Sequence, residues 1–120
     1  MTKTIVAMAT LALLATGAVH AAEVAYTWEG MGVNVPGSAK CATYKMAIDV
    51  TVDGTVIKGI FKQQGRDERH FEAVLDAQGV FKGKAALSDG NLDVSGVISE
   101  KESGILLDGY CKFGGKLNKK

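Results

Sequence analysis

Hydrophobic and polar positions alternate along most of the chain from Glu23 onward. In "VAYTWE" the apolar set is Val24, Tyr26 and Trp28. In "YKMAIDVTVD" it is Tyr44, Met46, Ile48, Val50 and Val52, with Lys45, Asp49, Thr51 and Asp53 on the other parity. "HFEAVLD" sets Phe71, Ala73 and Leu75 against His70, Glu72 and Asp76. "NLDVSGVIS" sets Leu92, Val94 and Ile98 against Asn91, Asp93, Ser95 and Ser99, and "ILLDGYCKF" puts Ile105, Leu107, Cys111 and Phe113 on one side. Successive side chains of a strand point to opposite faces. The pattern therefore predicts antiparallel strands, each with one packed and one wet face.

Glycines punctuate these runs at Gly54, Gly65, Gly79, Gly90 and Gly104. Asp53-Gly54 and Asp89-Gly90 are hairpin signals, because the tight turn needs positive φ. The runs then predict strands over roughly 23–29, 43–53, 55–64, 68–76, 80–87, 91–99 and 105–113. Residues 30–40, "GMGVNVPGSAK", hold the only proline and read as the one long loop. A second set of glycines, Gly59, Gly83, Gly96 and Gly109, falls inside strands, where glycine permits a bulge, a bend or close backbone approach. A sheet with a single apolar face must curl until that face is covered, and mid-strand glycines allow the curling. The expected fold is all-β, an antiparallel up-and-down meander of about seven strands rolled into a small barrel.

The N-terminus changes the picture of where this happens. "MTKTIVAMATLALLATGAVHA" has one charge, Lys3, then an uncharged run from Thr4 to Ala22. The apolar centre from Ile5 to Ala15 has the length of a signal-peptide core, with Val19 and Ala21 as the small residues before a cleavage site. Residues 1–21 are expected to be a signal peptide and residues 22–120 a single domain. The uncharged run approaches the roughly 20 residues that span a bilayer, but threonines, Gly17 and His20 dilute it. No stable membrane insertion is expected after cleavage, and the location is periplasmic or secreted.

Loss of Lys3 takes the formal net charge from +1 to zero. A neutral chain lacks the positive face that phosphate neutralisation demands, so no nucleic-acid partner is expected. Cys41 and Cys111 are the only cysteines. In an oxidising compartment they are expected to form one disulfide, and closing so long a loop is worth on the order of 4 kcal/mol. The bond would tie the start of the second strand to the last strand and close the roll.

"SAKCATYKMAIDVTVDG", "AQGVFKGKAALSDG" and "GYCKFGGKL" together repeat a strand, turn and strand figure, with one cysteine early and one late. In this the chain resembles small secreted β-meander proteins of Gram-negative bacteria. The resemblance implies the fold and an exported location. The up-and-down order is also similar to that of lipocalin- and avidin-type barrels.

No enzyme constellation accompanies this architecture. A Ser/His/Asp site would depend on His70, the sole histidine past the leader, and "RDERHFE" surrounds it with charge at an outward position. Asp67 with Glu68, and Glu100 with Glu102, are acids at turns rather than a catalytic pair in a groove. Two cysteines and one histidine are too few for a structural zinc site, and no acidic spacing matches a calcium loop. Neither a metal nor a cofactor is expected.

Binding is the class that remains. Leu106 and Tyr110 alternate onto the polar face and are candidate contacts for a protein partner. The charged hairpin "KQQGRDERH" adds Arg66, Arg69 and His70. Inside the roll, Tyr26, Trp28, Tyr44 and Phe71 are candidate lining for a ligand, with Phe61, Phe81 and Phe113 on the same parity. An exported, non-enzymatic module acting through a protein partner or assembly is therefore expected first. A carrier of a small apolar molecule comes second and a small hydrolase third.

Overall fold

A computed structural model describes residues 23–36, 39–88 and 90–120; the expected signal peptide, residues 1–21, lies outside the described residues. The alternating runs form β1 (Val24–Met31), β2 (Lys45–Asp53), β3 (Val56–Gln63), β4 (Arg69–Val74), β5 (Val80–Leu87) and β6 (Gly90–Ile98). The C-terminal part adds β7 (Ser103–Asp108), β8 (Lys112–Lys116) and the short β9 (Asn118–Lys119). Every ladder is antiparallel, and consecutive strands pair except where the chain changes sheet.

Two sheets result rather than one. The first has the order β4-β3-β2-β1-β9 and the second β5-β6-β7-β8. Their apolar faces enclose a single core that includes Ile48, Val50, Ile57, Phe71, Phe81, Val94, Leu107, Phe113 and Leu117. The register explains how the alternation fills it. Trp28, Ile48 and Phe61 stand side by side across β1, β2 and β3, and Val24, Val52, Ile57 and Ala73 form a parallel row.

The mid-strand glycines have a packing role. Gly59 lies opposite Phe71, and Gly96 opposite Phe81, in two different sheets. In both cases the ring lies across the glycine, in the space that a Cβ there would occupy. Each large ring is thus matched to a position without a side chain, which is how interiors reach close packing without voids. Phe61 and Phe71 add a tilted aromatic contact with centroids 6.3 Å apart.

The expected barrel is not closed. Among the described residues no ladder joins β4 to β5 or β1 to β8. The chain leaves the first sheet through a tight turn at Asp76, whose carboxylate accepts from the N–H groups of Gln78 (2.8 Å) and Val80 (3.0 Å). It then passes β4 so closely that a Cβ on Gly83 would lie 2.8 Å from the Glu72 carbonyl oxygen. At the opposite edge the chain end switches sheets: β8 pairs with β7, and β9 two residues on pairs with β1.

The expected last strand, 105–113, is a hairpin instead. Asp108-Gly109 forms a turn there, closed by the Gly109 N–H donating to the Cys111 carbonyl at 3.2 Å. Cys111 therefore sits in the β7–β8 turn and not within a strand. Cys41 sits in a single 3-10 turn, Cys41–Thr43, just before β2. The disulfide between them forms as expected, with a Cα–Cα distance of 5.5 Å across a sequence separation of 70. Both cysteines are buried, so the bond is part of the core at the end where the two sheets meet.

Candidate functional site

One end of the molecule gathers most of the chemically distinctive side chains. There the starts of β2, β4 and β8 meet the ends of β1, β3, β5 and β7, and the disulfide joins the two sheets. The loop after β1 is fastened to it, with the Val33 N–H donating to the Lys112 carbonyl at 2.9 Å and the Gly32 N–H to the Tyr44 carbonyl at 3.1 Å.

Between the inner faces of the sheets, at this end, lies a cavity of about 240 Å³. Its apolar wall is Met46, Phe61 and Leu87, contributed by β2, β3 and β5. Its polar rim is Gln63, Arg66, Asp67, Arg69 and Ser88. Arg69 reaches the rim for a simple reason: it has the same strand parity as Phe71 and Ala73, both buried, and pairs with the inward-facing Phe61. It is half-buried, and its Nη2 donates to the Ser88 hydroxyl at 2.8 Å, across the gap between the sheets. Arg66 is exposed on the β3–β4 turn, where its backbone N–H donates to the Gln63 carbonyl at 2.9 Å. Among the described residues, neither guanidinium has a carboxylate oxygen within ion-pair distance.

The other candidates are dispersed. His70 points the opposite way from Arg69, onto the outer face beside Ile60, with Nε2 3.5 Å from Glu68 Oε1. Leu106 is partly exposed on the outer face of the four-stranded sheet, between Ser95 and Gly114. Tyr110 is not its strand neighbour but occupies the β7–β8 turn, and at 75% exposure it is the most exposed of the large hydrophobic residues among those described. Met31 and Val33 are exposed in the same terminal region.

Of the expected ligand lining, Phe71 is buried, and Tyr26, Trp28 and Tyr44 are half-buried against the core. None of the four touches the cavity. Met46, Gln63, Leu87 and Ser88, which do, went unremarked as site residues in the sequence. The signal for Arg69 was present, since extending the alternation of Phe71 and Ala73 back by one step puts an arginine on the inner face.

The outer face of the four-stranded sheet carries a row of charges, Lys84, Asp93, Asp108 and Lys112, in register across four strands. Lys84 Nζ lies 2.7 Å from Asp93 Oδ1. No cluster of three or more His, Cys, Asp or Glu side chains suited to a metal occurs among the described residues. No helix among them is long and apolar enough to cross a membrane. Comparison of the chain with protein-family models, with curated proteins and with solved structures gave no match.

Proposed function

We propose that the protein is an exported, non-enzymatic binding module that engages a protein partner, in the periplasm or outside the cell, through the disulfide-stapled end. The observation that carries this reading is Tyr110. It stands largely in solvent on a tight turn whose next residue is bonded to Cys41 in the core. Tyrosine is enriched among interface hot spots, and an anchor whose backbone is fixed in advance loses less entropy on binding. Val33, exposed and bridged to Lys112 two residues beyond Tyr110, adds apolar surface at this end, and Lys112 adds a polar edge. In this reading the two sheets are the walls of one rolled meander, filled at its centre, and the exposed end is what partners meet.

A carrier holding its ligand at the centre has less in its favour. Phe61, Phe71, Phe81 and Phe113 are buried and occupy the space between the sheets. The test is a photo-crosslinking residue placed at position 110 in the native host. A discrete protein adduct is expected, and Tyr110→Ala should weaken recovery of the same protein by about thirtyfold or more, the effect of a hot spot near 2 kcal/mol. Absence of any adduct, with the protein folded and exported, contradicts the reading.

A further inference from the structure

We propose that the cavity at the stapled end binds a small organic anion with a short apolar tail, of the medium-chain carboxylate type. The apolar part would lie against Met46, Phe61 and Leu87, and the carboxylate would sit between Arg66 and Arg69. This is separate from the partner reading, because Tyr110 takes no part in the cavity.

Three features define the ligand. The volume, about 240 Å³, is below the roughly 300–1,000 Å³ of drug-sized pockets, so the occupant is a single short chain or ring. Met46, Phe61 and Leu87 line the cavity from the inward faces of their strands, while Arg66 and Asp67 stand exposed, which fits an amphiphile entering tail first. The mouth holds two guanidiniums and one carboxylate, Asp67, and neither arginine is ion-paired among the described residues. A guanidinium presents paired N–H donors that match a carboxylate, and charge-assisted bonds of this kind are the strong ones. Arg69 is already oriented by its bond to Ser88, which leaves its other donors for a ligand.

An arginine turned inward on an edge strand also has a purely structural use, to discourage pairing with another chain. The experiment has to separate that role from ligand binding. Octanoate is titrated by calorimetry into the chain covering residues 22–120, with octanol as the neutral tail of equal length. Saturable binding of octanoate is expected, weakened by added salt, with octanol at least tenfold weaker. Arg66→Gln, at an exposed turn position, and Arg69→Gln should each weaken octanoate about tenfold or more while leaving octanol unchanged. Circular dichroism of each variant confirms that the fold is retained. Equal binding of octanoate and octanol, or arginine variants that bind octanoate normally, overturns the proposal and leaves Arg69 with its edge-strand role. No octanoate binding at millimolar concentration overturns it as well. So does sedimentation with phosphatidylglycerol vesicles when free octanoate does not bind, since that would mark a membrane surface as the source of the anion.

Discussion

The two corners where the sheets meet are built in opposite ways. At the β4–β5 corner the chain passes directly from one sheet to the other through five residues, and close approach rests on one missing side chain, at Gly83. At the β1–β8 corner the partners come from opposite ends of the domain. There the joint needs the switch of β8 into β9, the Trp28 indole lying over Gly115, and the disulfide behind both. A local corner is closed by chain connectivity at little entropic cost, whereas a long-range corner must offset the closure entropy of most of the chain. Covalent reinforcement is found at the corner where that entropy is largest.

Several substitutions can break this asymmetry. Cys41→Ala with Cys111→Ala should lower unfolding free energy by about 4 kcal/mol in denaturant titration, a large share of the stability of a domain this size. Trp28→Ala removes the ring that fills the same corner and should cost about 3 kcal/mol, read as a drop in thermal midpoint. Gly83→Val tests the other corner. A branched side chain forced against the Glu72 carbonyl should cost about 1–3 kcal/mol, and a neutral result would mean that β5 does not lie as close to β4 as described. The exposed Lys84–Asp93 pair should contribute no more than about 1 kcal/mol in a double-mutant cycle, and less in high salt.

The contrast also explains what could be read from the sequence. Strand positions and their inner faces were legible because each depends on local alternation, as in Met46, Ile48, Val50 and Val52. The disulfide was legible because two cysteines in a chain expected to be exported leave little choice. The division into two sheets was not, since a meander that curls and one that folds over share the same alternation. The turn at Asp108-Gly109 was missed although its signal equals that of Asp53-Gly54. Leu107 and Cys111 keep one parity across it, and this masks the break. The cavity was hidden for a different reason: Arg69 and Ser88 meet where β4 and β5, strands of different sheets, come together, a fact of packing rather than of pattern.

The reinforcement of the long-range corner by the disulfide can be followed by amide hydrogen exchange, read by NMR on the oxidised and the reduced protein. Reduction should first strip protection from β8, β9 and the β9-paired part of β1, and from the flanking Leu117 and Lys120, whose N–H groups donate to the Ser103 and Ala25 carbonyls. The β2–β3 and β5–β6 ladders should hold their protection longer. Loss that begins at the β4–β5 corner, or spreads evenly over both sheets, would contradict that reinforcement.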